Sequence, residues 1–246
     1  MGQSTKTVLI VDQDPAMCYY HALLLMRLQY LAMTARTPEE ALMRLGGSVP
    51  SLILTVVSSC EGNGMDFIKK LKDGVRTSAI PLLALVDEDD EKLASSCRAS
   101  GCIDCLVQPA DPHQLYKMVQ SVTETTPRAH IRLNLACKTV LEDCGSLSKA
   151  EQIAYTSTIS EGGISVRTHA TPPKHSLTPV RVSVQDREIR ARAEVLYHTT
   201  PDSRMYQEPG MGLKFINIAD DDRLFLRGFI KDQLVHDIFP GNIRNA

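Results

Sequence analysis

No stretch of this chain approaches the roughly 18 consecutive apolar residues that a membrane-crossing helix needs, so insertion through a helix is not expected. The first apolar run, Thr7–Val11, is too short for the core of a secretory leader. No small-residue cleavage site follows it, and the expected location is the cytoplasm. Charge of one sign is also missing. Residues 1–123 carry 11 Lys+Arg against 14 Asp+Glu, residues 124–246 carry 16 against 15, and the whole chain sums to −2. Without a basic stripe or a helix-turn-helix pattern after residue 123, nucleic acid is not an expected partner. Internal repeats and low-complexity segments are absent too.

Metal-ligand spacing is equally scarce. The seven cysteines (18, 60, 97, 102, 105, 137 and 144) are scattered and odd in number, which reads as reduced thiols, several of them core fillers. Cys102-Ile-Asp-Cys105 is a lone CxxC. A zinc site needs a second ligand pair, and a thioredoxin-type thiol must open a helix after a strand, whereas this pair precedes a strand. His169 and His175 stand isolated in turn-rich sequence. No metal, cofactor or catalytic group is expected from these residues.

What is present divides in two. With 246 residues, the length suits one large domain or two small ones. The first half alternates apolar runs with helical stretches. Strands are expected at Thr7–Val11, Met33–Arg36, Leu52–Val57, Ile80–Val86 and Ile103–Val107. Helices are expected at Met17–Leu31, after Thr37-Pro-Glu-Glu, at Met65–Lys72, at Asp87–Ser100 ended by Gly101, and at Asp111–Val122. Asp14 reads as a cap with Pro15 in the first turn, and Thr37 with Glu40 has the capping-box spacing. Five β-α units predict a doubly wound, flavodoxin-like α/β domain over residues 1–122, with function at the carboxyl ends of its strands.

Thr123–Pro127 reads as a linker, and the texture changes over residues 128–246. Short strands are expected at Ile131–Cys137, Ile153–Tyr155, Ile164–Thr168, Val180–Val184, Ile189–Tyr197 and Gly212–Ile218. Turns fall at Cys144–Ser148, Glu161–Gly163, Thr171–His175 and Thr199–Gly210. The apolar positions Leu224, Phe225, Phe229, Ile230 and Leu234 have helical spacing after Asp220-Asp-Asp222. This predicts an all-β antiparallel barrel with a terminal helix.

Residues 5–122 resemble a response-regulator receiver domain. Such domains place two acidic residues after the first strand, a phosphoaccepting Asp after the third, a Ser/Thr after the fourth and a Lys-Pro after the fifth. Here Asp12 is kept, but Gln13 follows it, Val56 holds the phosphoacceptor position, Val86 the hydroxyl position and Gln108 the lysine position before Pro109. Valine cannot form an acyl phosphate, and Ser58 and Ser59 beside it do not replace an aspartate. One or two carboxylates make a poor magnesium site, and Asp14 has a simpler role as a cap. The resemblance therefore implies a pseudo-receiver, with its fourth helix, fifth strand and fifth helix (about Glu91–Val122) left as an association face for a protein partner or a second copy.

In the second half, Arg128-Ala-His-Ile-Arg132, then Thr158-Ile-Ser160-Glu-Gly-Gly163, then Gly210-Met-Gly212-Leu-Lys-Phe215 follow in order. About residues 127–235 resemble a PilZ domain, whose signature is RxxxR followed by (D/N)xSxxG and a late glycine strand before a terminal helix. The resemblance implies binding of cyclic di-GMP through Arg128, Arg132, Thr158, Ser160, Gly163 and Gly212. Arginine forks suit guanine edges and phosphates. The glycine turn is expected to need dihedrals only glycine adopts. Thr158 departs from the Asp/Asn that reads guanine's donor edge, which is expected to weaken binding by roughly 1–3 kcal/mol, about 5- to 150-fold. Glu194 stands where the family usually has glycine.

The expectation is a non-enzymatic cyclic di-GMP effector, in which ligand ordering of Arg128–Arg132 at the junction changes how the two halves sit together. The alternative is a nucleotide-independent scaffold in a motility, pilus or signalling complex. A phosphorylation-dependent regulator is disfavoured by Val56.

Overall fold

The computed structural model describes residues 6–58, 63–87, 90–142, 151–169, 171–199 and 208–236. The turn expected at Cys144–Ser148, most of the one at Thr199–Gly210, and Ser59, Cys60 and Cys144 lie outside them. The chain divides into two compact units, Met1–Arg128 with Leu234–Ala246, and Ala129–Gln233.

In the first unit, β1 (Thr7–Val11), β2 (Leu31–Ala35), β3 (Leu52–Val56), β4 (Leu82–Val86) and β5 (Asp104–Val107) form a parallel sheet in the order β2-β1-β3-β4-β5. The helices between and after them are α1 (Pro15–Arg27), α2 (Pro38–Gly47), α3 (Asn63–Asp73), α4 (Glu91–Ala99) and α5 (Pro112–Thr123). This is the flavodoxin-like arrangement. Its central strands are continuous apolar runs because helices cover both faces: Val8, Leu9, Ile10, Leu52, Ile53 and Leu54 are fully buried. Each such side chain contributes about 1.5–3 kcal/mol of transfer free energy.

The helix starts follow their capping residues. Asp14 Oδ1 accepts from the Ala16 and Met17 N–H groups at 2.8 and 3.4 Å. Thr37 accepts from the Glu40 N–H at 3.2 Å, but Glu40 accepts from the Arg36 N–H at 2.7 Å rather than from that of Thr37. The expected box is thus closed one residue earlier. α4 begins at Glu91, not Asp87, because Asp90 is its cap and accepts from Leu93 N–H at 2.9 Å. It ends at Gly101, whose φ of +99° suits glycine alone.

The second unit is antiparallel throughout. It comprises β6 (Arg132–Leu133), β7 (Lys138–Leu141), β8 (Gln152–Ser160), β9 (Gly163–Arg167), β10 (Leu177–Val184), β11 (Arg187–Thr199) and β12 (Gly210–Ile218), followed by α6 (Asp220–Val235). The ring β8-β7-β10-β11-β12-β9 closes because β9 pairs back onto β8, and β6 lies along β8 beyond β7. Closure removes the exposed sheet edges of a six-stranded barrel. The strand expected at Ile131–Cys137 is reduced to Arg132–Leu133, and β7 was not foreseen. A buried threonine sits at the break: Thr156 Oγ1 accepts the Cys137 N–H at 2.7 Å and donates to the Leu135 carbonyl, taking bonds that a strand partner would otherwise make. Along β11, Ile189, Ala191, Ala193 and Val195 point inward while Glu188, Arg190 and Arg192 are exposed, as their alternation predicts. Three aspartates open α6, and Asp222 is paired with Arg187 at 2.6 Å.

Candidate functional sites

The carboxyl ends of β1, β3, β4 and β5 surround a recess of about 240 Å3 lined by Asp12, Arg36, Thr55, Val56, Asp87 and Gln108, among others. The residues expected at this spot are therefore brought together. Their chemistry is poor in charge compensation. Asp12 is buried, and its Oδ1 accepts from the Asp14 N–H at 2.9 Å, while Oδ2 has no hydrogen-bond partner in the protein. Burial, and to a lesser degree the nearby Asp14 charge, raise its pKa from 3.8 to about 6, against the lowering effects of the Asp14 N–H and Arg36. Arg36 donates to the Gln13 carbonyl at 2.9 Å. Gln108 reaches Asp87 at 3.5 Å through Nε2, and its buried Oε1 is unpaired. Val56 presents no nucleophile. Magnesium wants several oxygen ligands and charge compensation, and with Gln13, Val56 and Gln108 lining the recess where further ligands and a neutralising cation are needed, the recess does not fit it. Among the described residues no group of three His, Cys, Asp or Glu side chains is arranged to hold a metal ion.

The CxxC cysteines face the same apolar region as Cys97, where α4 ends. Burial pushes the Cys102 thiol up to about 12 and that of Cys105 up to about 11, which leaves both protonated and unreactive at neutral pH.

In the barrel, strand register assembles residues far apart in sequence. Arg132 pairs with Ser160, Ser160 with Gly163, and Gly163 with Lys214. One step along, Thr158 pairs with Ser165, Ser165 with Gly212, and Gly212 with Tyr197. A β-bulge between Thr156 and Thr158 sets the facing. Ala154 and Thr156 are buried before it and Ile159 after it, so Thr158 and Ser160 share the outer face. Arg132, Thr158, Ser160, Gly163 and Gly212 thus lie on one outward-facing patch. Arg128 belongs to the first unit, where its N–H donates to Gln120 Oε1 at 3.1 Å.

Gly163 is required for steric reasons, and Gly212 makes room for a tyrosine ring. A Cβ on Gly163 would lie 2.1 Å from the Leu213 carbonyl oxygen, and one on Gly212 would lie 2.3 Å from Tyr197 Cε1. Neither has a positive φ, so the expected demand for glycine-only dihedrals is replaced by one for close approach. Ser160 is buried and its hydroxyl donates to the Gly163 carbonyl at 2.9 Å, which fixes the turn while leaving its oxygen as an acceptor. Glu194 pairs with His175 at 2.8 Å on the barrel surface.

Other parts of the patch went unforeseen. Glu161 is buried in the turn, accepts two bonds from Arg227 on α6 at 2.6 and 3.0 Å, and lies 3.6 Å from His130. The Arg227 guanidinium holds the Glu161 carboxyl below its ordinary range in spite of burial. The His130 ring covers Gly162, where a Cβ would lie 2.5 Å from Cδ2. Lys214, in register with Gly163, adds a second cation to this face, with two strands between it and Arg132. An Arg and a Lys on a face that also carries the half-buried Thr158 and Ser165 hydroxyls make a surface suited to phosphate and hydrogen-bonding base edges.

Comparison with known proteins agrees with this division. Residues 8–120 match the response regulator receiver domain and residues 126–232 match the PilZ domain. The response regulator PleD of Caulobacter vibrioides is 32% identical over 84 residues, 34% of this chain and 18% of PleD. An uncharacterized 14.6 kDa protein of Leptolyngbya boryana is 27% identical over 113 residues, 46% of this chain and 86% of that protein. The crystal structure of the chemotaxis response regulator CheY4 of Vibrio cholerae is 25% identical, covers 48% of this chain and 99% of its own, and superposes with a TM-score of 0.44.

Proposed function

From a chain in which a response regulator receiver domain is followed by a PilZ domain, both of them non-catalytic signalling domains, we propose a non-enzymatic effector that binds cyclic di-GMP on the PilZ barrel. The observation that carries this reading is the register that gathers Arg132, Thr158, Ser160, Gly163 and Gly212 onto one outer face. Arg132 and Lys214 supply charge for the ligand's phosphates, and the Thr158 and Ser160 hydroxyls supply hydrogen bonds to it. Arg128, four residues before Arg132 and directly after the linker, is the other arginine of the pair that grips the ligand. Its ordering is the step through which ligand alters the relation of the two domains. The receiver domain does not take a phosphoryl group, since Val56 and Gln108 replace the groups that would accept and neutralise it. It acts instead through protein contacts along α4, β5 and α5.

Thr158 favours a second reading, a scaffold indifferent to nucleotide. The two are separated by fluorescence polarisation with labelled cyclic di-GMP. The effector reading predicts saturable binding by the wild type and binding about 5- to 150-fold tighter in Thr158→Asp. Flat titrations for both proteins, extending to high micromolar protein, overturn it in favour of the scaffold.

A further inference from the structure

Beside the patch, β9, β11 and β12 enclose a recess of about 510 Å3, within the roughly 300–1,000 Å3 range of small-molecule sites. Its lining includes Ser165, Arg167, Tyr197, Thr199 and Glu208. It is continuous with the patch through Ser165, which stands in register between Thr158 and Gly212. The Tyr197 ring lies across Gly212 and remains 41% exposed, and its hydroxyl is 3.1 Å from Ser165 Oγ. Arg167 and Glu208 form an exposed ion pair at 3.4 Å on the rim.

We propose that this recess is a guanine subsite, in which Tyr197 stacks on the base and Glu208 with Arg167 reads its edges. The inference rests on the cyclic di-GMP reading and deepens it. A guanine carries N1–H and N2–H donors on one edge and O6 and N7 acceptors on another. A carboxylate matches the first and a guanidinium the second. Adenine offers a lone pair at N1 where guanine offers a proton, so a carboxylate at that edge rejects it. The ring is supported from below by a residue with no side chain, which holds it against the barrel as a platform. Glu208 thereby supplies the two-oxygen, charged acceptor that the single hydroxyl of Thr158 does not provide, from a position 50 residues away in the chain.

The test is calorimetric titration of the full chain with cyclic di-GMP and with cyclic di-AMP, for the wild type, Glu208→Gln, Tyr197→Leu and Tyr197→Phe. Loss of stacking in Tyr197→Leu is expected to weaken cyclic di-GMP binding about 5- to 150-fold, with Tyr197→Phe retaining most of the affinity. Glu208→Gln alters an exposed residue and leaves the fold intact. It is expected to weaken cyclic di-GMP about tenfold and to narrow the preference over cyclic di-AMP. Wild-type binding that Glu208→Gln and Tyr197→Leu leave unchanged, with the same preference, overturns the subsite and leaves the effector reading standing. Absence of cyclic di-GMP binding in the wild type overturns both.

Discussion

Replacing Asp12 by Asn should stabilise the first unit at neutral pH, and the gain should depend on pH in a defined direction. The carboxyl is buried, the Arg36 charge offsets only part of that cost, and its pKa rises from 3.8 in the unfolded chain to about 6 in the folded one. A raised carboxyl pKa means that the folded state holds the proton more tightly. Its contribution is intact below pH 3.8 and is lost as pH climbs through 6. The difference corresponds to about 3 kcal/mol above pH 6. Asn keeps the Oδ1 acceptor for the Asp14 N–H and introduces no charge. The variant should therefore equal the wild type near pH 4, gain progressively to pH 6 and hold a plateau of about 3 kcal/mol beyond it. His21 works in the opposite sense, since burial lowers its pKa to about 4 and stability falls as pH drops from 6.5. His21 is common to both proteins, so the difference between them isolates Asp12. Native-state hydrogen exchange of the β1 and β3 amides from pH 4 to 8 reads the first unit alone. A pH-independent difference, or a wild type more stable than the variant at pH 7, would show that the carboxylate is compensated and refute the reasoning.

Other outcomes follow from the same geometry. Incubation with acetyl phosphate and magnesium should add no phosphoryl group to the receiver domain, as intact-mass spectrometry would show; incorporation at neutral pH contradicts the role given to Val56 and Gln108. Gly163→Ala pushes a Cβ into the Leu213 carbonyl and should cost the barrel about 1–3 kcal/mol, visible as a lower Tm, whereas an unchanged Tm would mean that β9 and β12 separate freely. Arg227→Met strips the buried Glu161 of its two bonds and should lower the Tm, with Glu161→Gln on that background restoring part of it. The lowered Glu161 pKa places that pair's contribution above pH 4.5 and removes it as pH falls through the folded value, so the deficit of Arg227→Met should shrink in acid.

The receiver half was readable because its physics is local. Strands covered on both faces must be largely apolar, as Leu82–Val86 is, and helix starts are marked by Asp14, Thr37 and Asp111. The barrel was harder. Only Ile153–Tyr155 of β8 was expected, because Thr156–Ser160 reads as polar, yet Thr156 and Ser160 are buried with their hydroxyls bonded within the chain. Arg132, Thr158, Ser160, Gly163 and Gly212 were picked out by the resemblance to the PilZ signature. Their juxtaposition was not, because it depends on a bulge and on pairings across four strands. Tyr197 and Lys214 carry no local signal, and register brings them to this face; Glu208 borders the neighbouring recess beside Arg167.

Isothermal titration of cyclic di-GMP into the intact protein, beside the Arg128→Ala/Arg132→Ala double variant, tests the central claim most directly. The account predicts saturable heat in the wild type that the double variant loses. No heat in the wild type, or equal heat in both proteins, would contradict it.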